Sequence, residues 1–200
     1  MRLKILALVL ARGKSKRLPK KNLKKVGKKT LVELAISSGK NIKEIIDVLV
    51  STDDKEIFKL SKKAGALVPW LRPKKLSMDN TTSADSALHA LNWYEKFVTK
   101  VDGLLLLQPT SPFRRKKTIR DTIALFKKYM PRQVVSVSYT KKKGNFVNGV
   151  VYLTSPIKLR RHKTFYHKDF LPLLLKSKKE CLDINTIENL KLARKLHYNK

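Results

Sequence analysis

The chain has little cysteine, little glycine and little negative charge. Its single cysteine, Cys181, excludes an intrachain disulfide, so a packed core in a reducing compartment is expected. Glycine occurs only 7 times in 200 residues, and neither a GxxxxGKS/T phosphate loop nor a GxGxxG dinucleotide fingerprint is present. No apolar run approaches the roughly 20 residues that span a bilayer, so no membrane insertion is expected. The segment ILALVLA (5–11) follows Arg2 and Lys4 in the manner of a short leader. It runs straight into Arg12, Lys14, Lys16 and Arg17 without a small-residue cleavage site. It therefore reads as a buried strand of a mature, cytoplasmic protein. Neither internal repeats nor a flexible linker is present, so one domain over 1–200 is the simplest organisation.

Acidic residues number 15 against 46 lysines and arginines, a formal net charge of +31. Such a field draws nucleotides, nucleic acids and anionic lipid surfaces. The lysines are spread along the whole chain, in pairs starting at 20, 24, 28, 62, 74, 116, 127, 141 and 178. No basic block with interleaved aromatics marks a dedicated nucleic-acid groove. A general lysine bias accounts for the charge as well as a polyanion partner does. Non-specific polyanion binding at low salt follows from either, and no specific nucleic acid is expected.

What is present is an alternation of strand-like and helix-like segments. Strands are expected at 4–11, 46–51, 66–69, 101–107, 134–138, 149–153 and 181–184. Helices are expected at 30–40, from 53 or 54 to 63, at 83–97, 118–129 and 186–197. Thr30 with Glu33 forms a capping-box pattern. Asp53 and Asp54 read as helix caps. The alternation implies an α/β fold, a mostly parallel twisted sheet with helices on both faces. Ligands of such folds sit beyond the carboxyl ends of the strands. Polar loops follow strands at 12–22, 70–83, 108–114 and 183–186.

The first of these loops, in LARGKSKRLPKKN (10–22), has the parts of an anion site. Gly13 allows tight backbone geometry. Arg12 can fork onto phosphate oxygens and Lys16 supplies a compact charge. Ser15 offers a hydroxyl, Pro19 stiffens the return, and Asn22 both donates and accepts. Composition alone leaves a solvated basic loop equally open.

RGKSKRLPKKN, VSTDD, LRPKKLSMDNTTS, LLLLQPTSPFR and LDINTIENLKLA occur in that order over nearly the whole chain. Together they resemble the motifs of the acylneuraminate cytidylyltransferases, the CMP-sialic acid synthetases and their relatives acting on other nonulosonic acids. The resemblance implies a Rossmann-like, GT-A-like nucleotidyltransferase architecture. It implies attack of the anomeric hydroxyl of a 2-keto sugar acid on the α-phosphate of CTP, with Mg²⁺ as cofactor and pyrophosphate as leaving group. By position, Arg12, Ser15, Lys16 and Asn22 would hold triphosphate and ribose, and Leu10 and Ala11 would present backbone groups to the cytosine. Arg72, Thr81 and Ser83 would complete the nucleotide pocket. Gln108, Thr110, Ser111 and Asn148 would bind the sugar, the last in the NG pair with Gly149. Asp183 and Asn185 would hold the metal, and Arg12, Lys16 and Asp183 are the catalytic candidates.

Two departures stand out. The family's late motif reads DxD, whereas this chain reads Asp183-Ile184-Asn185. In an extended segment the two side chains share a face, but an amide is a weaker ligand for a hard cation than a carboxylate. Asn185 is also well placed to cap the last helix. Second, the arm that family members insert between two strands is shortened here to about 139–148. No arginine stands before Asn148. Lys141, Lys142 or Lys143 would have to meet the sugar carboxylate, and the sugar's identity and the usual homodimer both stay open. The four histidines read as surface or helix residues. Two rival readings accompany the enzyme: a degenerate relative that binds nucleotide without turnover, and a basic nucleic-acid-binding protein. The sugar-1-phosphate nucleotidyltransferases, with their glycine-rich first loop, do not match RGKSKRLP.

Overall fold

The computed structural model describes residues 3–130, 132–141 and 144–198. Eight strands and six α-helices follow one another among them. They are β1 (Ile5–Leu10), β2 (Lys25–Val26), β3 (Lys29–Thr30), α1 (Leu31–Gly39), β4 (Ile45–Ser51), α2 (Lys55–Lys63) and α3 (Ser83–Phe97). Then come β5 (Gly103–Leu106), α4 (Lys116–Lys128), β6 (Val134–Thr140), β7 (Gly144–Thr154), α5 (Pro156–His162), β8 (Leu171–Leu174) and α6 (Ile187–Tyr198). Six strands form one sheet in the order β4-β1-β5-β7-β6-β8, and β2 and β3 pair separately.

Alternation along each central strand builds two cores. Ile5, Ala7 and Val9 of β1 and Leu105 of β5 face one side, with Val32 and Ile36 of α1, Ile57 of α2, and Ile119 and Phe126 of α4. Leu6, Leu8, Leu104 and Leu106 face the other, with Ala87, Leu91 and Tyr94 of α3 and Leu159 of α5. Both faces of the central strands are dry, which is why their sequences are apolar throughout. The expected two-sided α/β architecture is present.

Local signals set several boundaries. Thr30 and Glu33 form the expected capping box at α1. Thr82 and Asp85 form another at α3. Asp54 caps α2, its Oδ1 accepting from the backbone N–H groups of Glu56 and Ile57. Asp53 does not cap. It accepts from the Gly13 N–H at 2.9 Å and faces Arg72 at 3.8 Å, so it joins two loops instead.

The sheet departs from pure alternation where the chain turns back on itself. β7 runs antiparallel to both β5 and β6, whereas β1 is parallel to β4 and β5, and β6 to β8. α5 and β8 were not expected. Ser155 caps α5 with Pro156 in its first turn, and β8 carries Pro172, which an edge strand tolerates. The expected strand at 66–69 is a single bridge from Leu67 to Leu49. The expected strand at 181–184 is absent. Ile184 packs away from the sheet with Leu18, Leu31 and Leu190, and its N–H donates to the Thr110 carbonyl at 2.8 Å. Buried Glu180 anchors this segment to the start of α4. It accepts from the Arg115 N–H at 3.1 Å, Arg115 Nε at 2.6 Å and Thr118 Oγ1 at 2.5 Å.

Candidate active-site cleft

The chain goes from β1 to β4 on one side and later returns to β5 on the other. The reversal opens a crevice beyond the carboxyl ends of β1 and β5, where open α/β sheets bind ligands. A cleft of about 330 Å³ occupies that place. Its floor is Leu10 and Leu106, and its walls include Arg12, Lys21, Asn22, Arg72, Asp79, Gln108, Thr110 and Asn185. Thr81, Thr82, Ser83 and Ser86 bring the amino-terminal turn of α3 to it, where a helix dipole favours an anion.

Three cations converge here. Arg72 is buried; its Nε donates to Ser77 Oγ at 3.1 Å, and its backbone N–H to the Thr52 carbonyl at 2.7 Å. Burial lowers its pKa, Asp53 raises it and Arg12 lowers it. Lys21 sits in a 3-10 turn over Lys21–Leu23, and its Nζ donates to Asn185 Oδ1 at 3.1 Å. Burial lowers the Lys21 pKa, Asp183 raises it, and Arg17 and Arg12 lower it. Arg12 is held from behind, its carbonyl accepting from Asn22 Nδ2 at 2.8 Å. Its Nη1 donates to Asp79 at 3.0 Å, and Lys16 reaches the same carboxylate at 2.8 Å. Those contacts, the Lys16 hydrogen bond foremost, hold the Asp79 carboxyl below its usual pKa against an opposing effect of desolvation.

Asp79 thus occupies two cations that could otherwise meet an anion. Asp79→Asn is expected to free them and tighten binding of inorganic triphosphate about twofold to fivefold at low salt, the scale of an exposed ion pair. Isothermal titration with inorganic triphosphate checks this. Weaker binding in the variant would show that Asp79 orients the cations rather than competing for them.

The sugar-side candidates divide. Gln108 and Thr110 line the cleft; Ser111 and Asn148 are buried behind it. Asn148 accepts from Ser136 Oγ at 2.6 Å and from the Val150 N–H at 3.1 Å, and donates to Ser138 Oγ at 3.0 Å. It braces the irregular pairing of β6 and β7. Gly149 has φ +79, and a Cβ there would stand 3.2 Å from Gln108 Oε1 and 3.7 Å from the Tyr152 hydroxyl. Tyr152 stacks with Tyr166, and its pKa is pushed up to about 12 by burial, then by Tyr166 and Asp183. It is therefore a protonated donor at any working pH.

Other expected residues fall differently. The Ala11 N–H donates to the Ser51 carbonyl at 3.1 Å, so it is not open to a base. Ser15 and Lys16 do not line the cleft, and Lys16 acts through Asp79. The Thr81 hydroxyl donates to the Lys75 carbonyl at 2.9 Å. Lys142 and Lys143 lie outside the described residues. Asn185 does not cap α6: Thr186 Oγ1 accepts from the Asn189 N–H at 3.3 Å instead.

Sequence reasoning missed Lys21, Asp79 and Tyr152, and it passed over Arg114. The Arg114 guanidinium is buried at the end of LLLLQPTSPFR. It donates to the carbonyls of Val150 at 2.6 Å and Gln108 at 2.7 Å, and to Ser38 Oγ at 3.3 Å. Burial pushes its pKa down to about 9, with Glu180 opposing, so it stays charged at neutral pH.

A metal would have few protein ligands. Asp183 Oδ1 is buried with no hydrogen-bond partner, and the Asn185 amide donates to Asp183 Oδ2. A free carboxylate oxygen beside an amide oxygen fits one edge of a Mg²⁺ shell. Among the described residues no group of three or more His, Cys, Asp or Glu side chains could hold a metal.

A basic crevice at the reversal point of an α/β sheet, floored by two apolar strand ends, suits a polyanionic ligand. Comparison with known proteins gives the family. Residues 6–181 match the family model described as cytidylyltransferase. The chain is 33% identical to the CMP-N,N'-diacetyllegionaminic acid synthase of Legionella pneumophila, over 97% of this chain and 96% of that enzyme. It is also 33% identical to the N-acylneuraminate cytidylyltransferase of Escherichia coli, over 74% of this chain and 34% of that longer protein. The solved structure of CMP:2-keto-3-deoxy-manno-octonic acid synthetase complexed with CTP shares the fold. Its TM-score is 0.76 at 13% identity, over 98% of this chain and 99% of that one. The chain belongs to the cytidylyltransferase family and is a nucleotidyltransferase.

Proposed function

We propose that this enzyme transfers CMP from CTP to the anomeric hydroxyl of a sialic-acid-like 2-keto sugar acid. The observation that carries the reading is a cleft whose lining combines three cations with neutral polar groups. Arg12, Lys21 and Arg72 face the space a triphosphate needs. Gln108, with Thr110 near it in the lining and Gly149 and Tyr152 close behind it, supplies neutral hydrogen-bonding groups. Similarity to a CMP-legionaminic acid synthase over nearly the full length of both chains supports the same choice.

The sugar oxygen attacks the α-phosphorus, the bond from the α-phosphorus to the oxygen bridging it to the β-phosphate breaks, and the hydroxyl proton passes to solvent water. Negative charge moves onto the departing pyrophosphate. The cations lower the barrier by meeting that charge in a preorganised, partly dry site. Gln108 and Tyr152 orient the sugar acid with hydrogen bonds. Asp183 and Asn185 are the residues that would hold Mg²⁺, which supplies further charge neutralisation when bound. Among the described residues no helix is long and apolar enough to cross a membrane, and the cytoplasm, where CTP is available, is the proposed compartment.

The test is pyrophosphate release with each of the four nucleoside triphosphates and a panel of nonulosonic acids. Release with CTP and one sugar, abolished in Arg12→Ala, is expected. Asn185 favours a second reading, nucleotide binding without turnover. It predicts CTP binding and no pyrophosphate with any sugar.

A further inference from the structure

The Asp183–Asn185 pair already holds a cation, and that cation belongs to the chain. Lys21 Nζ donates to Asn185 Oδ1 at 3.1 Å, and the other end of the same amide donates to Asp183 Oδ2. The amide has one workable orientation. Turned over, its NH₂ would face an ammonium and its oxygen a carboxylate. The only oxygen of the pair left without a partner is the buried Asp183 Oδ1. A hard divalent cation takes six or more oxygen ligands and is held more tightly as their negative charge rises. Here it would meet one free oxygen, one net negative charge and an ammonium beside it.

We propose that in the free enzyme Asp183 and Asn185 seat the Lys21 ammonium, and that a divalent cation enters only with a nucleoside triphosphate, which draws Lys21 onto its phosphates. The proposal rests on the cytidylyltransferase reading of the cleft. Lys21 is poised for the exchange. It lies in the cleft wall with Arg12, where a bound polyanion would meet its ammonium. An aspartate at 185 would change the balance. Two carboxylates against one ammonium leave a net negative charge, and a metal could then reside without nucleotide.

Electron paramagnetic resonance of Mn²⁺ with the full chain tests this without any sugar or turnover. The free wild-type protein is expected to bind no Mn²⁺ up to about 1 mM. With cytidine α,β-methylene triphosphate it is expected to bind Mn²⁺ beyond what the nucleotide binds alone. Asn185→Asp, without nucleotide, is expected to gain at least about tenfold in Mn²⁺ affinity. Lys21→Gln gives an independent check, with a smaller gain expected from removing the ammonium. Submillimolar Mn²⁺ binding by the free wild-type chain overturns the proposal, as does absence of any gain in both variants. So does failure of the nucleotide analogue to recruit Mn²⁺. A lack of pyrophosphate release would count against the enzymatic reading alone and leaves these outcomes standing.

Discussion

Replacing Arg72 with methionine lowers kcat/KM for CTP by about a hundredfold to a thousandfold, the usual cost of removing one preorganised donor to developing charge. Arg72 is the most enclosed cation of the cleft. Its side chain is 4% exposed, and its carboxylate partner, Asp53, stands 3.8 Å away. That separation leaves the guanidinium incompletely neutralised, so an arriving phosphate finds a charge poorly served by water. Methionine keeps the length and loses the charge. Lysine at the same position restores the charge without the fork and should recover part of the loss. Steady-state kinetics on both variants, with thermal melts to confirm folding, decides the matter. A change under about threefold in Arg72→Met, small beside the effect of a lost oxyanion-type donor, would remove Arg72 from the machinery.

Arg114→Met should damage the protein from inside. The guanidinium ties the Gln108 carbonyl after β5, the Val150 carbonyl of β7 and the Ser38 hydroxyl of α1 into one point. Methionine fills the space but leaves two carbonyls without that donor. Each buried acceptor stripped of its donor costs about 1–3 kcal/mol, so a total of about 3 kcal/mol is expected. For a chain of this size that lowers the melting temperature by about 10 °C. The loss also frees Gln108, so kcat should fall more than the affinity for CTP. A melting temperature within about 2 °C of wild type would show that water or a neighbour replaces the guanidinium.

These two arginines show how unevenly the sequence could be read. Arg72 was singled out because it belongs to the recognised motif LRPKKLSMDNTTS, and the structure places it in the cleft wall. The capping box at Thr30 was equally local, so the start of α1 could be placed from residues three apart. Arg114 sits in a motif that was recognised, yet its partners lie 36 and 76 residues away in sequence, at Val150 and Ser38. No local pattern carries such information. Lys21 looked like one more lysine in a basic loop, and only the fold brings it to Asn185, 164 residues on. Asp79 was hidden in a polar stretch for the same reason.

Asn148 was assigned the sugar on the strength of its motif. The structure turns its amide into β6 and sets Gly149 against Gln108. β7 was expected as a strand at 149–153, but its antiparallel direction was not legible because apolar runs carry none. β8 was missed because LPLL, with its proline, has the composition of a loop.

The most direct measurement is phosphorus-31 NMR of the enzyme with CTP, Mg²⁺ and, in turn, N,N'-diacetyllegionaminate, N-acetylneuraminate and pseudaminate. With one of these sugars, a phosphodiester signal of a CMP-sugar should grow together with pyrophosphate, in equal amounts, as CTP declines. CTP that binds and persists unchanged beside every sugar acid would contradict the transfer reaction and leave a nucleotide-binding protein in its place.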